Sequence, residues 1–210
     1  MTDSEKHLDV LEPAIRVFAR EGEVTTIAKI AEEAQLPPSL IYRKFGSRDG
    51  ILLSIYSLFW SRLLAEIRAA TGTDWGDTPL GTLERIIIIG QSFAPKNLDL
   101  IRILTTTYLP PPEKIAQADL KKKRLEIRQM NRDVLNIIDQ LIQDGQEQSC
   151  ITKSLSPQVI RQILIGAFQT LAYGLFFQFS KGESVGYSPV EAMNGMKHLL
   201  KSISHECDAK

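Results

Sequence analysis

The chain has 210 residues, 43% of them hydrophobic and 24% charged, the balance of an ordinary soluble globular protein and not of a disordered one. Lys plus Arg number 25 and Asp plus Glu number 25, so bulk charge decides nothing about nucleic acid and any electrostatic argument must be local. The two cysteines, Cys150 and Cys207, match no metal or redox spacing and suit a reducing cytosol. The opening "MTDSEKHLDVLEP" is acidic and polar, unlike a secretory signal. The most apolar run, Ile163 to Phe177, is short for a bilayer and carries Gln169, so it reads as a buried helix. A cytoplasmic protein with no membrane partner is expected.

Strand-like alternation is nearly absent, and apolar residues recur at three and four. A first helix covers about Lys6 to Arg20, with Leu11, Ile15, Phe18 and Ala19 on one side and Gly22 as its stop. Thr25 or Thr26 caps a second, "IAKIAEEAQ", which Ile27, Ile30, Ala31 and Ala34 line on one side. "LPP" ends it, because proline disfavours helix in the residue before it. Pro38 opens a third helix, where its missing N–H is no loss, and that helix ends near Phe45 and Gly46. Ser47 caps a long fourth helix from Arg48 to about Ala70, with Asp49 favourably placed in its first turn.

The turn-rich stretch "TGTDWGDTPLGT" follows. Helices are then predicted at about Leu80–Phe93, Leu98–Tyr108 and, after "LPPPE", Glu113–Gln146. Ser156–Pro157 and Ser188–Pro189 are cap-and-first-turn signals for two more helices, reaching about Lys181 and His205. The fold class is therefore all-α, with about nine helices.

Between Glu33 and Asp49 the segment "AQLPPSLIYRKFGSR" contains no acid. Two short helices joined by a tight turn form a helix-turn-helix. At 100° per residue, Ile41 and Phe45 of the second helix face inward. Ser39, Tyr42 and Arg43 face outward, with Leu40 and Lys44 on the flank. A solvated surface helix shares the shape, but an acid-free outer face with Tyr, Arg and a hydroxyl suits a major groove and its phosphates.

The runs "AIRVFAREG", "TTIAKIAEEA" and "LIYRKFGSRDGIL" resemble the DNA-binding region of the TetR family of bacterial transcriptional regulators, closely over about the first 55 residues. "LIQDGQEQSCITKSLSPQVIRQILIGAFQTLAYGL" is similar, more loosely, to the family's late helices. Four positions depart from the pattern: Gln35 replaces a turn glycine, Pro37 a cap serine, Leu40 a threonine and Arg48 a lysine. The resemblance implies a helix-turn-helix domain over residues 1–50 and a ligand-binding and dimerisation domain over residues 51–210, bridged by the fourth helix, about 48–70.

It also implies roles. Thr25 or Thr26, with Lys29 and the N–H groups of the second helix, would hold a phosphate. Pro38 and Ser39 would lie at the groove wall, and Leu40 could meet a thymine methyl. Tyr42 would bond a phosphate. Arg43 and Lys44 would read bases or backbone, Arg43 being the better bidentate reader of guanine. Arg48 would touch the backbone.

For the rest of the chain, Gly166, Ala167 and Gly174 are small residues that let helices approach closely. Met193, Met196, Leu199, Leu200 and Ile203 give the last helix an apolar stripe. Two such helices from each copy would make a four-helix dimer interface. Phe59, Trp60, Phe93, Tyr108, Phe168, Tyr173 and Phe176 are the aromatics expected around an effector, with Gln91 and Gln169 as polar contacts, so the effector is expected to be apolar or aromatic. In "KKKRLEIRQMNR", Lys121, Arg124, Arg128 and Arg132 form a basic stripe on an amphipathic helix. "HEC" at His205–Cys207 lacks the further ligands a metal needs. No nucleophile has a paired histidine and acid, and no phosphate loop appears. No cofactor, no metal and no enzyme activity are expected. The reading is a homodimeric, ligand-responsive DNA-binding regulator, most often a repressor in this family. The alternative is an all-helical carrier or sensor of an apolar small molecule that does not bind DNA.

Overall fold

The structure is a computed structural model. It describes residues 3–71, 78–182 and 184–204, and the side chains of these other than 3–9, 70, 71, 176, 177 and 179–181. Nine α-helices account for most of the described residues: α1 Asp3–Glu21, α2 Ile27–Ala34, α3 Pro38–Phe45, α4 Arg48–Thr71, α5 Pro79–Lys96, α6 Leu98–Thr106, α7 Ala118–Glu147, α8 Pro157–Lys181 and α9 Pro189–Ile203. Among the described residues the only extended pairing is a single antiparallel bridge, Ile151 to Ser204.

The caps are those that side-chain chemistry demands. Gly22 takes φ +61 after α1, where a side chain would be strained. Of the two candidate caps on α2 it is Thr26 whose hydroxyl accepts from Lys29 N, at 3.3 Å. Ser47 Oγ accepts from Gly50 N at 3.1 Å, and Ser156 caps α8 through Val159 N. Ser188 and Glu191 form a reciprocal capping box on α9. The serine hydroxyl and the backbone N–H of Ser188 hold the Glu191 carboxyl below its usual range, the backbone bond being the larger cause.

Two boundaries flanking the Pro110–Pro112 run differ from expectation. α6 stops at Thr106 and not Tyr108, because Thr107 is already extended at φ −119, ψ 141 ahead of the Pro110–Pro112 run. Those prolines also delay α7. Pro112–Lys114 makes a separate 3-10 turn, and the long helix begins at Ala118 and not Glu113.

Two compact units divide the chain. The first comprises residues 1–62 and 97–131, and the second 63–96 and 132–210. α6 and the first half of α7 thus belong with α1–α3. In the first unit Phe18, Ile30, Ile41, Ile51, Leu52, Leu53, Ile55 and Ile103 are fully buried. By length and composition α4 could span a bilayer, but half of that apolar window is buried in the protein, as suits a core helix. In the second unit α9 packs on α5 and α8. An ion pair between Arg161 and Asp139, mostly buried on both sides, ties α8 to α7. Cys150 is buried. The chain's other cysteine, Cys207, lies outside the described residues, as does His205.

Candidate nucleic-acid interface

α3 presents the face that its spacing dictates. Ile41 and Phe45 are buried and α3 packs on α2, while Pro38, Ser39 and Arg43 are exposed and Tyr42 is 54% exposed. Leu40 and Lys44 are half-buried on the flanks, and the Lys44 ammonium lies 5.9 Å from the Phe45 ring centroid. The turn before α3 runs through Gln35, which adopts left-handed φ 53, ψ 41. Its N–H donates to Glu32 O at 3.1 Å, and Leu36 N–H donates to Ala31 O at 3.0 Å. These bonds hold the glutamine where glycine would sit without strain.

The end of α3 is fixed as firmly. Gly46 closes it at φ 73. Gly50 then lets α4 pass against it, since a Cβ there would sit 1.9 Å from Phe45 O and 3.2 Å from Leu120 Cδ2.

The cations around α3 divide into spent and available. Arg48 donates to Thr25 O at 2.9 Å, Glu23 O at 3.0 Å and Gly22 O at 3.4 Å. It also pairs with Glu23 Oε2 and Asp49 and lies 5.1 Å from the Phe18 ring centroid. Arg48, expected at the DNA backbone, here caps the carbonyls between α1 and α2, and its side chain is only 24% exposed. Lys29 is bonded to Glu21 and holds that carboxyl below its usual range. The Thr25 hydroxyl is buried and unpartnered; Thr26 is the exposed one of the two. Arg16 and Arg20 converge on Glu33 from α1, and the Arg16 bond is the main cause of that carboxyl's lowered pKa. Arg43 remains on the outer face, beside Tyr42.

The residues expected around an effector fall in both units. In the first unit Phe59 is buried and meets Trp60 edge-on at 5.3 Å. Tyr108, expected to line a cavity, is 67% exposed in the loop after α6, its N–H donating to Glu23 Oε1. In the second unit Phe93 is buried, and Phe168 packs so close to Gly90 that a Cβ there would lie 2.7 Å from its ring. Gln91 is half-buried, while Gln169 and Tyr173 are exposed. The side chain of Phe176 lies outside the described residues.

The residues expected on the pairing face divide between core and surface. Met196, Leu200 and Ile203 are buried within the subunit, so they are core. Gly174 is accounted for by Tyr187, whose hydroxyl would lie 2.0 Å from an added Cβ and donates to Leu171 O. Gly166 faces open space, Ala167, Met193 and Leu199 are half-buried, and Val159 and Ile163 are 44% and 41% exposed. Val159, Ile163 and Gly166 stand at i, i+4 and i+7, a helical signal present in the sequence that the larger methionine and leucine stripe overshadowed.

An exposed, acid-free helix held by a capped turn and buried on its back is the reading element of a helix-turn-helix regulator, a class of DNA-binding protein. The model of bacterial regulatory proteins of the tetR family matches residues 10–55, the segment just described. That of the YsiA-like protein C-terminal region matches residues 113–174. The fatty acid metabolism regulator protein of Bacillus subtilis (strain 168) is 22% identical over 205 residues, covering 95% of this chain and 96% of its own. FadR from Bacillus subtilis, solved in complex with stearoyl-CoA, matches with a TM-score of 0.71 at 20% identity, covering 95% of this chain and 100% of that one. KstR2 of Mycobacterium tuberculosis, a ketosteroid transcriptional regulator, matches with a TM-score of 0.71 at 16% identity over 98% of each chain. The chain belongs to the TetR family and is a transcriptional regulator.

Proposed function

We propose that two copies of the protein read a palindromic operator as a cytoplasmic repressor and release it when an apolar effector binds. The observation that carries this reading is the exposed Tyr42–Arg43 face on a rigidly backed α3. Residues 1–50 act as the reading head. Thr26 and the free N–H groups of α2 take one phosphate and the Tyr42 hydroxyl another. Arg43 reads a base edge, with Lys44, Leu40, Ser39 and Pro38 against the groove wall. One short helix covers only a few base pairs, so useful specificity requires a second copy. The pairing face runs through Val159, Ile163, Gly166 and Ala167 of α8 with Met193 and Leu199 of α9.

Residues 51–210 bind the effector. Similarity to the fatty acid metabolism regulator and to the stearoyl-CoA complex supports a long-chain acyl-CoA. An effector acts only through differential affinity for the DNA-competent and DNA-incompetent states. Stearoyl-CoA should therefore weaken operator binding by roughly tenfold or more, while coenzyme A alone leaves it unchanged. Equal operator affinity with and without saturating stearoyl-CoA would remove acyl-CoA as the effector.

A further inference from the structure

α7 runs beside α4 in the same direction through the first unit. A Cβ on Gly46 would lie 3.2 Å from Gln117 Oε1, and one on Gly50 would lie 3.2 Å from Leu120 Cδ2. One turn further on, Lys123 donates to Ser54 Oγ at 2.7 Å. That hydroxyl donates in turn to Gly50 O at 2.8 Å. These steps set the first turn of α7 at the end of α3 and the start of α4. This is the end from which Tyr42 and Arg43 project. With Leu120 and Lys123 part-buried on the contact and the Gln117 amide at its edge, Lys121 and Lys122 point away from it. Both are exposed, and neither side chain takes part in an ion pair or hydrogen bond among the described residues.

We infer that Lys121 and Lys122 form a second phosphate-gripping element, an arm from α7 that extends the DNA surface beyond the helix-turn-helix. The inference rests on the DNA-reading function proposed above. Its charge logic comes from the cations that are unavailable. Arg48, at the neighbouring helix start, is spent on carbonyls, and Lys29 is spent on Glu21. The α7 lysines add uncommitted positive charge near the end of α3, beyond Arg43. Asp119 shares their turn, but its short side chain stays near the helix, whereas a lysine ammonium stands out on a flexible four-carbon stem. Phosphate contacts of this kind carry no sequence information and set position and affinity.

The test uses the full-length protein and a duplex recovered by selection from random DNA, with affinity followed against salt. One phosphate gripped by the arm of each subunit makes two per dimer, so K121A/K122A should lower the slope of log affinity against log salt by about 1.8. Affinity should fall similarly for operator and non-operator duplexes, and K121R/K122R should restore the slope. An unchanged slope in K121A/K122A, with Tyr42→Ala still losing operator binding, overturns the arm and leaves the helix-turn-helix reading intact. If Tyr42→Ala binds as tightly as wild type, or if no duplex is recovered, the reading fails and the arm with it.

Discussion

Replacing Arg48 with methionine separates a structural cation from a DNA contact. The guanidinium is the donor to Thr25 O at 2.9 Å, and Thr25 is buried. An orphaned buried carbonyl costs about 1–3 kcal/mol. The carbonyls of Gly22 and Glu23 lie nearer solvent and regain water, so they add little. Loss of the contact with the Phe18 ring adds about 0.5–1 kcal/mol. Methionine keeps part of the stem packing, which leaves a net loss of about 2–3 kcal/mol. Urea unfolding at fixed protomer concentration should then show a midpoint lower by about 1 M with the slope unchanged, for a slope near 2 kcal/mol/M. Under conditions where the variant is folded, the salt dependence of its DNA binding should match wild type. An unchanged urea midpoint combined with a shallower salt slope would refute this assignment and return Arg48 to the DNA backbone.

Gly50→Ala places a methyl 1.9 Å from Phe45 O, a backbone atom that cannot swing aside. The helix-turn-helix should lose at least about 2–3 kcal/mol and with it operator affinity, checked by thermal unfolding beside a gel-shift titration. Acid should weaken the fold in a defined window. Glu21, Glu33 and Glu191 have pKa values lowered from 4.5 through bonds with Lys29, Arg16 and Ser188 respectively. A depressed carboxylate contributes its full stability above the unfolded value and loses it as pH falls through the folded one. The thermal midpoint contribution of these groups should therefore be flat from pH 7 to about 5 and decline below about 4.5, with Glu191→Gln less acid-sensitive than wild type.

The helices were legible because their punctuation is local. Pro38, Gly46, Ser47, Ser156 and Ser188 each act within one turn, and the α3 wheel separates Ile41 and Phe45 from Tyr42 by periodicity alone. What lay beyond reach depends on partners distant in sequence. Nothing near Arg48 signals that the carbonyls of residues 22, 23 and 25 wait for it. The stripe Met196, Leu200, Ile203 marks an apolar face without saying whether the helix opposite belongs to the same copy or another. In the structure it faces its own subunit, and the smaller Val159–Ile163–Gly166 face is left outside. Apolar spacing alone carries the sixth helix to Tyr108, but the chain is already extended at Thr107 ahead of the proline run and the ring is exposed. The parallel register of α4 and α7 rests on contacts about seventy positions apart, such as Ser54 with Lys123, which no local pattern announces.

The central claim, that a pair of α3 helices reads duplex DNA through Tyr42 and Arg43, is tested most directly by selecting bound duplexes from a random pool with the wild-type protein and with Tyr42→Ala in parallel. The account predicts one palindromic sequence enriched by the wild type and none by the variant. Enrichment of the same palindrome by both proteins, or of no sequence by the wild type, would contradict it.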